Sequence, residues 1–363
     1  MAILRKLFPG NNTATGFFSF YDHILPQDTA NYFYVIKGGP GVGKSTFMRK
    51  IGMDFYDRGY DIEFMCCSSD NNSLDGVVIP HIKTAFIDGT APHIVDPKFP
   101  GGVATIIHLG DYWNEEVLRQ HRPQIIELTK EISEYFKSAY RYLKAAHCFL
   151  EDAEAKINQG LKISKLNLLS KKLIKELFGK TAPNKRPGKS RHLFATAITP
   201  DGPINYLDTV FIDTKILYLF EGPIGSGKSL VISQLVNWAI LLNLDIEVYH
   251  CAFEPNKIDG FYLPEFKIGV MKSTSFINLD VTRLKNAVEI KIIDFEEFTG
   301  NYPKQRYQHS LEQFFSLFEL GCAAIKQAKL VHDELEKFYI PSMDFGAIEA
   351  RRLDVLNKLL AKL

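Results

Sequence analysis

Short apolar runs recur along the chain, each closed by turn-forming residues. Residues 32–36 read as a buried strand, and a glycine-rich turn follows it. Residues 46–56 then have the composition of a helix. Residues 61–67 are apolar and rich in β-formers, so they predict a second strand. Asp75-Gly76 predicts a turn that leads into a third apolar segment, 83–87. The same succession returns at 216–220, 245–253 and 267–271. Two long stretches, 123–157 and 310–339, carry tyrosine, leucine and phenylalanine at helical spacing and read as packing faces. Strands alternating with helices predict an α/β fold, with a parallel sheet flanked by helices in each of two tandem parts.

The return is an internal duplication. Gly38 and Gly222 stand 184 positions apart, and the same offset aligns Asp61-Ile62-Glu63 with Asp245-Ile246-Glu247. It also aligns Cys67 with Cys251, Asp75-Gly76 with Asp259-Gly260, Pro80 with Pro264 and Lys83 with Lys267. Upstream the offset becomes 186, pairing Arg5 with Arg191 and Asp22 with Asp208. The reading divides the chain into a first domain over 1–157, a basic helix and linker over 158–190, and a second domain over 191–363.

The turns carry the chemistry. Gly38-Gly39-Pro40-Gly41-Val42-Gly43-Lys44-Ser45, with Thr46 opening the helix, fits the P-loop pattern G-x-x-x-x-G-K-[ST]. Gly222-Pro223-Ile224-Gly225-Ser226-Gly227-Lys228-Ser229, with Leu230 after it, repeats the pattern. In such a loop the backbone N–H groups cradle phosphates and the helix start adds a positive dipole end. The lysine reaches the β- and γ-phosphates, and the serine hydroxyl ligates Mg²⁺. Two matches at corresponding positions predict two nucleoside triphosphate sites. Adenine is the default base, since no Asn-Lys-x-Asp motif of the guanine-specific kind is present.

An acid that ends an apolar strand usually completes a Mg²⁺ site of this kind. In the first copy Asp88 fits, opening the polar stretch Asp88-Gly89-Thr90-Ala91-Pro92-His93. In the second copy the aligned residue is Lys272, which cannot ligate a cation; Asp294, with Asp111 as its rough first-copy partner, is a possible substitute. The metal set is therefore Ser45 and Asp88, with Ser229 in the second copy, and the first copy is the better catalytic candidate. Asp70 and Glu254 align after the second strand, where a carboxylate can orient water or accept a proton from a hydroxyl. The plainer reading of both is turn chemistry. His93 is a further candidate for phosphate contact, with Ile277 as its counterpart. Arg5 and Arg191 are candidate arginine fingers or, more plainly, anchors at the start of each fold. Lys37 precedes the loop and does not match the deviant P-loop class.

Composition narrows the setting. The 363 residues are 46% hydrophobic and 23% charged with a net charge of +1, so no overall field favours nucleic acid or membrane. No run is long and apolar enough to span a bilayer, and the first residues hold no signal-peptide core. Five cysteines in no metal-type spacing suit reduced thiols in a cytoplasm. Charge concentrates in 155–191, where eleven Lys or Arg face a single acid, Glu176. Leu166, Leu169, Leu173, Leu177 and Phe178 form an apolar stripe there, and 181–190 reads as a flexible linker. A basic amphipathic helix can meet an acidic partner, nucleic acid or a membrane surface; docking on its own domain is the plainer expectation.

Taken together, these motifs resemble a bacterial family of tandem P-loop ATPases found mostly in spore-forming, low-GC Gram-positive bacteria. Phe8-Pro9-Gly10-Asn11-Asn12-Thr13, the loop with Lys37 before it, Cys67-Ser68-Ser69-Asp70 and the stretch from Asp88 through His93 to Asp96-Pro97 carry the resemblance. It extends to Arg191-His192-Leu193-Phe194 and the second loop. The resemblance implies an ATP-binding protein with two P-loop domains, and supplies no substrate or protein partner. The expected function is an ATPase whose first site turns over, with Mg²⁺. The alternatives are a nucleoside or small-molecule kinase using Asp70 as base, and a nucleotide-dependent scaffold acting through its basic segment.

Overall fold

The computed structural model describes residues 2–91, 94–274 and 289–363. In chain order the first copy contributes β1 (Leu4–Leu7), β2 (Gly10–Thr13), β3 (Gly16–Ser19), β4 (Tyr32–Lys37) and α1 (Lys44–Tyr56). It continues with β5 (Ile62–Cys66), β6 (Leu74–Ile79), β7 (Thr84–Asp88), β8 (Ala104–His108), α2 (Glu115–Gln120) and the long α3 (Arg122–Asn158). Next come α4 (Ile163–Phe178), β9 (Ser190–Leu193), β10 (Thr196–Thr199), β11 (Gly202–Asn205), α5 (Leu207–Val210), β12 (Ile216–Glu221) and α6 (Lys228–Leu241). The chain ends with β13 (Ile246–His250), β14 (Ile258–Leu263), β15 (Ile268–Lys272), β16 (Glu289–Asp294), α7 (Lys304–Tyr339) and α8 (Phe345–Leu360).

Two compact units result. Unit 1 holds residues 1–11, 19–139 and 323–363; unit 2 holds 12–18 and 140–322. The sheet of unit 1 runs β1-β5-β6-β7-β4-β8, and that of unit 2 runs β16-β12-β15-β14-β13-β9. Read from opposite edges the two orders are the same, as duplication requires.

Both sheets are mixed, and this corrects the expectation of parallel ones. β6 is antiparallel to β5 and to β7, and β14 likewise to β13 and β15. The cause lies in the connections. Only residues 67–73 join β5 to β6, and only 80–83 join β6 to β7. Such links are too short for a crossover helix, so the chain must reverse. Asp75-Gly76, expected as a turn, lies inside β6 instead. The strands approach closely at this glycine: a β-carbon on Gly76 would stand a tight 3.1 Å from the Phe86 carbonyl oxygen, and one on Gly260 would clash at 2.4 Å with that of Val270.

Each glycine-rich loop sits at the carboxyl end of a central strand. β4 lies between β7 and β8 and is parallel to both; β12 lies between β15 and β16 in the same way. The register aligns Ile36 with Asp88 and Phe220 with Lys272. Helix α1 buries Phe47, Met48, Ile51 and Phe55 and packs on β5 and β6. Burying side chains of this size contributes about 1.5–3 kcal/mol each.

The basic segment is docked, and it joins unit 2. Leu166, Leu173, Leu177 and Phe178 of α4 enter the unit 2 core, and α4 packs on α6. Its counterpart by position is α8, which packs on α1 in unit 1. Thus the helix that follows the first copy covers the loop helix of the second, and the helix that follows the second covers that of the first. The compact units therefore differ from the boundaries at 157 and 190 read along the sequence.

Candidate functional site

Each loop turns on glycines in the left-handed region. Gly41 and Gly43 have φ of 66° and 87°, Gly225 and Gly227 of 83° and 94°. Such backbone is strained for residues with a β-carbon, which explains the glycine spacing. Gly43 and Gly227 are the N-caps of α1 and α6, and neither can offer a side-chain cap. The first amides of both helices are therefore left to an outside acceptor, and an anion suits them.

The two lysines take equivalent positions. Lys44 Nζ donates to Gly38 O at 3.1 Å and Gly39 O at 2.7 Å. Lys228 Nζ donates to Gly222 O and Pro223 O, both at 2.6 Å, and to Ser226 Oγ at 3.2 Å. Each ammonium thus lies folded over its own loop.

Beyond the lysines the units part. In unit 1 Asp88 ends β7 with a carboxylate oxygen 3.7 Å from Lys44 Nζ. Thr90 donates to Asp88 Oδ1 through N at 2.9 Å and Oγ1 at 2.5 Å, fixing the carboxylate at the strand end. Burial raises the Asp88 carboxyl above its usual range, with Lys44 and the Thr90 hydrogen bonds opposing. Ser45 Oγ accepts from Leu74 N at 2.9 Å. Hydroxyl and carboxylate oxygens are the donor chemistry that Mg²⁺ takes, so Ser45 and Asp88 fit it.

In unit 2 Lys272 stands in the place of Asp88. Its ammonium lies 2.5 Å from Asp259 Oδ1 and 3.4 Å from Ser229 Oγ. Burial disfavours the charge, but the Asp259 carboxylate more than offsets that and raises the Lys272 pKa. Burial, then the charge of Lys272, lowers Lys228 to about 7. A phosphate oxygen beside Lys228 would oppose both effects. Asp294 is exposed, and its Oδ1 accepts from Glu296 N at 2.8 Å, so it caps its own turn.

Sequence reasoning missed Asp75 and Asp259. Both are buried on the strand next to the Asp88 or Lys272 strand. Burial pushes the Asp75 carboxyl up to about 6, against hydrogen bonds from the Tyr21 hydroxyl and the Cys67 thiol. An aspartate at a fully apolar strand position was the available signal. Lys37 was also missed: its ammonium donates to Gly89 O at 2.7 Å, Val95 O at 3.0 Å and Asp96 Oδ1 at 3.0 Å. It stitches the segment after Asp88 to the strand before the loop.

Other candidates find different work. Asp70 accepts from Asn72 N at 3.0 Å and Ser73 Oγ at 2.9 Å, and Lys329 lies 3.4 Å away. That is the turn chemistry expected as the plainer reading. Glu254 binds His147 Nε2 at 3.0 Å and Lys257 Nζ at 2.7 Å. Arg5 and Arg191 pair with Glu63 at 3.0 Å and Glu247 at 3.2 Å, each the cross-strand neighbour in register. They anchor the edge strands rather than reaching toward a loop. All five cysteines are free thiols, and burial raises Cys67 and Cys251, the latter to about 12. His93 and Ile277 lie outside the described residues.

A helix end closes over each loop. A β-carbon on Gly41 would stand 3.2 Å from Glu336 Cβ of α7, and one on Gly225 would stand 3.3 Å from Glu154 Cα of α3. In unit 2 this leaves a cavity of about 210 Å³, lined by Ser226, Lys228, Glu154, Glu254, Lys257 and Lys272 among others. Lys257 bridges Glu154 and Glu254 at 2.7 Å each. Comparison with protein-family models, curated proteins and solved structures gave no match. No described helix is long and apolar enough to cross a membrane.

Proposed function

We propose that the chain is a cytoplasmic ATP-binding protein with two nucleotide loops, and that the first loop hydrolyses ATP. The observation that carries this is the unit 1 constellation. Lys44 lies over the Gly38 and Gly39 carbonyls, and Asp88 stands 3.7 Å away at the end of the adjacent parallel strand. In this reading the uncapped amides of Gly43 and α1 bind phosphate oxygens, and Lys44 leaves the loop carbonyls to meet the γ-phosphate. Ser45 and Asp88 would hold Mg²⁺, which would supply neutralisation of the phosphate charge. Thr90 holds the Asp88 carboxylate in place, and Lys37 fixes the segment beyond it.

The alternatives gain less support. Both Asp70 oxygens accept hydrogen bonds within its own turn and Lys329 pairs with the carboxylate, which favours a structural role over that of a kinase base. The apolar face of α4 is spent on the unit 2 core, which answers the amphipathic pattern without a partner. The test is phosphate release from ATP by purified protein with Mg²⁺. A protein that neither binds nor hydrolyses ATP would sink the proposal.

A further inference from the structure

The serine hydroxyl after each loop lysine has a different neighbour in the two units. In unit 1 the adjacent strand end offers the Asp88 carboxylate. In unit 2 the same register position offers the Lys272 ammonium, 3.4 Å from Ser229 Oγ. This ammonium is held from behind by Asp259 at 2.5 Å, and both residues are buried. Among the described residues, the donor set expected for a divalent cation is thus incomplete in unit 2. One of its two expected groups is missing, and a positive charge already faces the other.

The innermost formal charges differ in sign. Unit 1 places one ammonium, Lys44, with two carboxylates, Asp75 and Asp88, for a formal −1. A bound divalent cation would bring that to +1. Unit 2 places two ammoniums, Lys228 and Lys272, with one carboxylate, Asp259, and has +1 from its own residues. Charges further out, such as Lys37 before the first loop and Glu221, Asp294 and Glu296 around the second, lie outside this innermost set. Exchanging a carboxylate for an ammonium changes a site by two charges, as a divalent cation does.

We propose that the second loop binds the phosphates of a nucleoside triphosphate without a divalent cation, with Lys272 as its built-in counter-ion. The inference rests on the reading of both loops as nucleotide sites. Asp259 keeps the Lys272 ammonium charged and fixed beside Ser229, where it meets β- and γ-phosphate oxygens. An ammonium brings one charge on a fixed stem and opens no coordination position for water. The second site therefore holds nucleotide and does not turn it over.

The experiment is equilibrium dialysis of the full-length protein against labelled ATP, in excess EDTA and in Mg²⁺. Lys44→Ala isolates the second site. This variant should retain one equivalent of ATP, with a Kd that EDTA changes by less than about three-fold. Adding Lys228→Ala should remove that equivalent. Lys272→Met, in the Lys44→Ala background, should weaken EDTA-resistant binding by about ten-fold or more while a thermal melt reports folded protein. Should Lys272→Met fail to fold, Lys44→Ala in EDTA still decides the matter. Binding by Lys44→Ala that vanishes in EDTA and returns with Mg²⁺ would overturn the inference and leave the nucleotide reading standing. Binding by wild type in neither medium would overturn the nucleotide reading itself.

Discussion

Lys44 Nζ and Asp88 Oδ2 lie 3.7 Å apart, one on the loop that follows β4 and the other at the end of the parallel neighbour β7. Neither is exposed, and each restrains the other: the ammonium opposes the burial that raises the carboxyl. A polyphosphate entering between the loop amides and Asp88 would exchange this ion pair for one with its own oxygens.

Lys44→Ala should therefore abolish ATP hydrolysis, by about 100-fold or more, as loss of a group that stabilises transferring phosphate does. Lys228→Ala should leave hydrolysis within about five-fold and act mainly on nucleotide retention and thermal stability. Steady-state phosphate release for both variants checks this. Equal loss from both would remove the asymmetry between the loops.

Asp88→Asn should separate metal use from nucleotide binding. The amide keeps the shape and gives up the charge, so ATP without Mg²⁺ should bind at least as well as to wild type. The Mg²⁺ concentration for half-maximal hydrolysis should rise about ten-fold or more. A Mg²⁺ titration of hydrolysis that is unchanged from wild type would take Asp88 out of the metal site.

Asp75 gives a pH signature of stability. Its carboxyl is raised to about 6 in the folded protein, above an unfolded value near the ordinary 3.8. Between these values the folded state keeps a proton that the unfolded state has lost. Stability therefore falls as pH rises through about 4 to 6, by an amount on the order of 3 kcal/mol at full effect, and the penalty persists above that range. In Asp75→Asn this component should disappear. Urea midpoints at pH 4.5 and 7.5 check it: the wild-type loss between them should exceed that of the variant.

Arg5→Ala and Arg191→Ala should cost stability and spare turnover. Each removes a partner from a poorly exposed cross-strand glutamate, an effect on the order of 1–3 kcal/mol. Hydrolysis measured below the melting transition should stay within about three-fold of wild type. A collapse of kcat with an intact melt would restore the finger role.

Glycine substitutions should divide by what surrounds them. A β-carbon on Gly260 meets the Val270 carbonyl at 2.4 Å, whereas at Gly202, with φ 90°, nothing lies within 4 Å. Gly260→Ala should destabilise unit 2 by about 2 kcal/mol or more through displaced strands, and Gly202→Ala by about 1 kcal/mol through backbone strain alone. Denaturant melts of the two variants compare them.

Much of this fold was legible because its signals are local. Both loops, the strands before them and the helices after them fall where the apolar runs and glycines put them, and so does the amphipathic α4. The hidden features depend on contacts distant in sequence. Asp75-Gly76 has the composition of a turn, and only the neighbouring strands make it strand. Lys272 is visible as a lysine where an acid is expected, but its grip on Asp259 requires β14 and β15 to be adjacent. The exchange of α4 and α8 leaves no trace in composition, since a leucine stripe does not name the surface that will bury it.

That exchange bears on whether half of this protein can exist alone. A fragment ending at residue 190 would keep the first loop but lose α8, the cover of α1, and would carry the leucines of α4 with no α6 beneath them. Its complement would have the opposite deficiency. A lone ancestral copy would thus have had to fold its terminal helix back on itself or lend it to a second molecule. Joining two copies in one chain replaces that encounter with a tethered one, at the high effective concentration that a short connection gives. The two halves are then inherited, expressed and lost together, which allows one loop to change its chemistry while the other keeps it.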